Sequence, residues 1–127
     1  MWDKIHYNKS GFRIVIYEKE NGSRPFYDFI ENLDISTKAD IFYSIDMLKE
    51  KGNSIRAPLS KKIDKCIFEL RIKNKVNNCR ILYFFCINRT IVITNGFIKK
   101  SNRTPKVELD KANRYMNDWI RRNSDGL

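Results

Sequence analysis

Few folds can accommodate the stretch CRILYFFCI, residues 79–87. As an extended chain it is apolar on both faces, which is the pattern of a central strand with neighbours on either edge. Two flanking runs supply those neighbours. CIFELRI, residues 66–72, places Cys66, Phe68, Leu70 and Ile72 on one face and Ile67, Glu69, Arg71 and the following Lys73 on the other. TIVITNGFI, residues 90–98, reads as a third strand, and Asn88-Arg89 predicts a two-residue hairpin turn before it.

The remaining elements follow from punctuation. Phe12–Lys19, FRIVIYEK, is β-branched and predicts a first strand, ended by the Asn21-Gly22 turn. Ser23 is placed to cap a helix over 23–33 with Pro25 in its first turn and Phe26, Phe29, Ile30 and Leu33 on its buried side. Thr37-Lys-Ala-Asp40 fits a capping box opening a helix over 37–51, with Ile41, Ile45 and Leu48 at helical spacing, Phe42 beside them and Gly52 as the stop. Residues 53–62 read as an irregular loop. Thr104-Pro105 predicts the start of a last helix, whose apolar stripe is Leu109, Ala112, Met116, Trp119 and Ile120. The order is β-α-α-β-β-β-α. It predicts one α+β domain over 1–127, a mainly antiparallel four-stranded sheet with two N-terminal helices packed on it and a C-terminal helix.

Register carries the argument to chemistry. If the NKVNN turn is centred between Lys75 and Val76, Arg71 directly opposes Arg80, Leu70 faces Ile81 and Phe68 faces Tyr83. Directly opposed like charges cost a few tenths of a kcal/mol or more. A bridging anion reverses that sign, and so does Glu69 or another nearby carboxylate. A second cluster lies in FIKKSNRTP, where Lys99, Lys100 and Arg103 crowd the connection into the last helix. That helix N-terminus repels cations and favours anions. Charge is also divided along the chain. Residues 1–54 hold 8 Lys+Arg against 9 Asp+Glu, a net of −1, whereas residues 55–127 hold 17 against 6, a net of +11. This asymmetry points to a polyanion or an acidic protein meeting one face.

Absences prune the rest. The single histidine is His6, near the N-terminus, so a Ser-His or Cys-His catalytic pair is not expected. Cys66, Cys79 and Cys86 lack metal spacing and read as reduced thiols of a cytoplasmic protein. No nucleotide-binding glycine motif and no carboxylate cluster is present, and no apolar run approaches the ~20 residues of a membrane span. Neither metal nor other cofactor is expected. Tyr83, Phe84 and Phe97 read as core.

The pieces YEKENGSRPFYDFI, IFELRI, CRILYFF and GFIKKSNRTPKVELDKANR, in that order, resemble the RelE/HigB superfamily of bacterial toxins, in particular its phage-derived HigB-like branch. The likeness covers Phe12 to Arg122. It implies a RelE-like α+β domain that cleaves messenger RNA on the ribosome, inhibits translation and is silenced by a cognate antitoxin, small and either helix-turn-helix or acidic. It implies that Arg71 and Arg80 hold the RNA phosphate and that Lys99 and Lys100 complete the catalytic group. Lys61, Lys62, Lys73 and Arg103 are the candidate RNA-binding residues. Where HigB-like relatives often carry a histidine before the aromatic of the last strand, this chain has Asn95 and Gly96, so a ParE-like gyrase inhibitor and an inactive binding module of the same fold stand as alternatives.

Overall fold

The structure is a computed structural model and describes residues 11–123. Its elements are β1 (Arg13–Ile16), α1 (Pro25–Ile30), α2 (Ile35–Lys51), a 3-10 turn (Gly52–Ser54), β2 (Ser60–Lys62), β3 (Phe68–Lys73), β4 (Asn78–Cys86), β5 (Thr90–Ile98) and α3 (Lys106–Asn123). The strands form one sheet in the order β1-β5-β4-β3-β2.

The β3–β4 hairpin has the register that alternation predicts, with Arg71 opposite Arg80, Leu70 opposite Ile81 and Phe68 opposite Tyr83. Three features correct or add to the expectations. First, the sheet has five strands, because Ser60–Lys62, expected within an irregular loop, pairs with Phe68–Leu70. SKK has no apolar alternation; what holds it is the ladder itself and the Ser60 hydroxyl, buried 2.5 Å from the Tyr83 hydroxyl. Second, β1 runs parallel to β5, while the other pairings are antiparallel. Parallel neighbours need a long crossover, and α1, α2 and the intervening strands provide it. Third, the β4–β5 connection spans three residues, Ile87 to Arg89, since Cys86 pairs with Thr90. Asn88 and Arg89 both take positive φ, 59° and 52°.

The helix starts also move. Arg24 precedes α1 without a side-chain cap bond, and the Ser23 hydroxyl reaches Asp28 instead. The cap of α2 is Asp34, which accepts from the Thr37 N–H at 3.0 Å and the Thr37 hydroxyl at 2.7 Å. The capping box over 37–40 therefore does not form. Thr37 lies inside the helix, buried, and accepts hydrogen bonds from Asn74 and Asn77 of the β3–β4 turn. Gly52 ends α2 at φ 55°, where a Cβ would collide with the Phe12 ring.

Two cores sandwich the sheet. On one face Phe26 and Ile30 of α1 and Ile41, Ile45 and Leu48 of α2 meet Leu70, Ile72, Ile81 and Tyr83. On the other, Ala112 and Tyr115 of α3 meet Leu82, Phe84, Val92 and Phe97. Leu109, Met116 and Trp119 join that second core as expected, but Ile120 is exposed, and Phe42 is exposed beside the first. Helix α1 comes close to the sheet at Gly96, where a Cβ would stand 2.6 Å from the Phe29 ring and 2.8 Å from Ile81.

A candidate polyanion-binding site on the sheet edge

The α3-facing side of the sheet gathers the charged residues by register alone. Lys61 pairs with Glu69, Arg71 with Arg80, Arg80 with Phe97 and Lys73 with Asn78. The Lys99 N–H continues the β5 ladder by donating to the Asn78 carbonyl at 2.7 Å. Lys61, Arg71, Arg80, Lys73 and Lys99 thus arrive from four strands or strand ends at one region.

At its centre is Glu69, only 2% exposed. Arg71 Nε donates to Glu69 Oε2 at 3.0 Å, and Arg80 Nε stands 3.6 Å from the same oxygen. The Thr104 hydroxyl donates to Glu69 Oε1 at 3.0 Å, so it does not cap α3; the first helical bond there runs from Leu109 N–H to the Pro105 carbonyl. One carboxylate therefore joins β3, β4 and the connection that carries Lys99, Lys100 and Arg103. The internal carboxylate anticipated as one alternative for the opposed arginines is present. Neither Glu69 nor Thr104 is marked as a site residue by the sequence pattern. The alternation of β3 places Glu69 beside Arg71, but nothing in the sequence distinguishes a hydroxyl aimed at Glu69 from a helix cap.

The two arginines differ. Arg80 is buried, and its Nη1 donates to Asn78 Oδ1 at 2.7 Å and to the Cys79 carbonyl. Its Nε makes no hydrogen bond. Burial disfavours its charge and lowers its pKa, against the support of Glu69. The Arg71 side chain is 28% exposed and keeps its terminal nitrogens free of any protein partner among the described residues. Lys99 Nζ donates to the Asn102 carbonyl at 3.1 Å. Its ammonium is pushed below the ordinary lysine value by partial burial and then by the positive charges of Arg80, Arg71 and Lys61, with Glu69 opposing. Lys100 and Arg103 are exposed, and neither side chain has an ion-pair partner among the described residues. Lys73 is exposed at the end of β3.

Lys62 does not belong to this group. It pairs with Phe68, so it points to the opposite face, where its Nζ lies 6.0 Å from the centre of the Phe68 ring. Asn95 is buried, and its amide donates to the Glu108 carbonyl and side chain of α3. The position at which a histidine was considered is thus committed to holding α3 on the sheet. Tyr83, Phe84 and Phe97 are core, as expected. His6 lies outside the described residues. The described residues contain no group of three or more His, Cys, Asp or Glu side chains able to hold a metal ion, and no helix among them is long and apolar enough to cross a membrane. Cys66, Cys79 and Cys86 are free thiols, and burial pushes that of Cys79 up to about 11.

Fold and site together define a small α+β domain that presents cations, braced by one buried carboxylate, along a sheet edge and the loop behind it. The family of phage-derived Gp49-like proteins (DUF891) matches residues 28–117, and the chain belongs to that family. No curated protein matches the chain.

Proposed function

We propose that this protein is the toxin of a type II toxin–antitoxin pair, a RelE/HigB-type domain that cleaves messenger RNA on the ribosome without a metal. The observation that carries the reading is the Glu69-braced pair Arg71 and Arg80 beside Lys99, on a chain of the Gp49-like family. RNA carries its own nucleophile: the 2′-hydroxyl attacks the adjacent phosphate and the 5′-oxygen leaves. The protein has to bind the phosphate, stabilise the added charge and move two protons.

Arg71 suits the phosphate, because its planar fork offers free donors while Glu69 fixes its Nε. Arg80, behind it, supplies charge from a buried position more than direct contact. Lys99 suits proton transfer, since its crowded ammonium releases a proton more readily than a free lysine. Lys61, Lys73, Lys100 and Arg103 extend the positive surface for flanking phosphates. The antitoxin is expected to cover this surface with an acidic segment.

A second reading is favoured by one observation. Arg80 is buried and already paired with Glu69, as it would be in a member that binds a partner and cleaves nothing. Induction in bacteria separates the possibilities. A nuclease arrests growth with message cleaved, a ParE-like inhibitor of gyrase changes DNA supercoiling first, and an inactive module leaves growth unimpaired at confirmed expression. In vitro, neutralising about five phosphates gives a slope of log K against log [salt] near −3.5 for single-stranded RNA. A flat response removes the polyanion from this account.

A further inference from the structure

The opposite face of the same sheet edge carries a cleft of about 210 Å³ that the phosphate site does not use. Its floor is aromatic. Phe68 and Tyr83 stack with ring centres 5.6 Å apart, and Phe85 meets both edge-on at 5.2 and 5.7 Å. Arg56 and Lys62 are among its lining residues, with no carboxylate. Tyr83 is core, yet Phe68 and Phe85 are only partly buried and line the cleft. Ser60 and Tyr83 also line it, and their buried hydroxyls share one hydrogen bond. Two hydroxyls carry two hydrogens, so one O–H and spare lone pairs remain without a partner among the described residues.

We infer that this cleft is a nucleobase subsite: it takes one base of the single-stranded RNA whose neighbouring phosphate lies on Arg71, the base stacking against the Phe68 ring with its polar edge toward Ser60 and Tyr83. Three features select this ligand. The volume is below the ~300–1,000 Å³ of a drug-sized site and suits one ring system. An aromatic floor with a cationic rim is how single strands are held, the rings taking bases and the cations the backbone. And the two sites meet at β2, where Lys61 lies between them: it is among the residues that border the cleft, and its ladder partner Glu69 puts its side chain on the Arg71 face. A strand turning around the short β2 edge passes Lys61 between the two. The inference rests on the RNA reading and adds to it the place where base preference is set.

The test uses the full chain and a non-cleavable, 2′-O-methylated RNA hexanucleotide, with a series in which each position in turn is abasic. One abasic position should weaken binding roughly 5- to 160-fold, the range of a base–aromatic stack, while the others change little. Phe68→Leu and the surface variant Lys62→Ala should weaken the intact oligonucleotide and shrink the penalty at that one position. Arg71→Ala should weaken every member of the series alike. Lys62 is exposed, so its result stands even if Phe68→Leu unfolds. If the intact RNA binds with strong salt dependence but no abasic position matters, or if Lys62→Ala leaves the penalty at wild-type size, the cleft is not a base site and the phosphate site stands. If no oligonucleotide binds at any salt concentration, both readings fall.

Discussion

Arg71 and Arg80 stand directly opposite each other on β3 and β4, and the Glu69 carboxylate on the same face holds both, at 3.0 Å and 3.6 Å from their Nε atoms. Like charges in that position repel. Here the repulsion is offset from within the strand, two residues from Arg71. The arrangement leaves a net positive unit, partly open on the Arg71 side, with no external anion needed for folding.

Removing the charge of Glu69 should therefore cost far more than removing Arg71. Glu69→Gln leaves the buried Arg80 without a counter-charge, a loss of about 3–5 kcal/mol for a broken buried pair. Arg71→Ala, at a partly exposed position, should cost at most about 1 kcal/mol. Denaturant unfolding of the two variants reads the difference. Equal losses would mean that Glu69 does not brace Arg80.

Thr104→Val should loosen the connection 99–105 without disturbing the sheet. A hydrogen bond to a charged group contributes about 1.5–3 kcal/mol, and the carboxylate here keeps its arginine partners, so a loss near the lower figure is expected. In the Glu69→Gln background the same change should cost much less, because the two groups share one interaction. Additive losses in the double-mutant cycle would place Thr104 at the helix cap after all.

Arginine and lysine should not be interchangeable in cleavage. Arg71→Lys replaces a fork by a point charge and should slow single-turnover cleavage of ribosome-bound message roughly a hundredfold, the scale of losing one transition-state donor at ~3 kcal/mol. Lys99→Arg keeps the charge but cannot release its proton at any accessible pH, so it should abolish cleavage while RNA affinity stays near wild type. Because the Lys99 pKa is lowered, the wild-type rate should rise with pH and level off below the ordinary lysine value of 10.5. Full activity of Lys99→Arg would make Lys99 a phosphate clamp.

Away from the site, Tyr17 and Asp118 tie β1 to α3 through a 2.6 Å hydrogen bond. Burial and then the Asp118 carboxylate push the Tyr17 hydroxyl up to about 12. Arg122 and then the Tyr17 hydroxyl hold Asp118 at about 2. The sign is opposite at the two ends of the pH scale. The Tyr17 contribution is complete below 10.0 and disappears as pH rises through about 12, whereas that of Asp118 is complete above 3.8 and disappears as pH falls through about 2. In Tyr17→Phe the Asp118 carboxyl, followed by NMR titration, should move up part of the way toward 3.8 and stop short, because Arg122 remains. An unchanged Asp118 would remove Tyr17 from its environment.

The hairpin at the heart of the site was legible in the sequence. Alternation has a period of two residues, so placing Leu70 and Phe68 inward puts Arg71 outward, and the turn centre then leaves Arg80 as its partner. The same local logic located the core positions of α3 and the stop at Gly52. What lay beyond it were features that no local pattern encodes. Ser60–Lys62 has no strand signature and becomes β2 only because β3 offers an open edge. The parallel pairing of β1 with β5 joins segments more than seventy residues apart. Asp34 and Thr37 are both cap residues by type, and it is Asp34 that caps α2, while the Thr37 hydroxyl inside the helix accepts from the asparagines of the β3–β4 turn across the fold. Lys61 and Lys62 are neighbours in sequence, but the pleat sends one to the face of Arg71 and Arg80 and the other to the face of Phe68. The residue types, and hence the attraction for a negatively charged partner, were determined by the sequence alone. Which cations converge, and that a buried glutamate and a loop threonine hold them, was decided by tertiary structure, because burial and long-range pairing set how strongly charges act on one another.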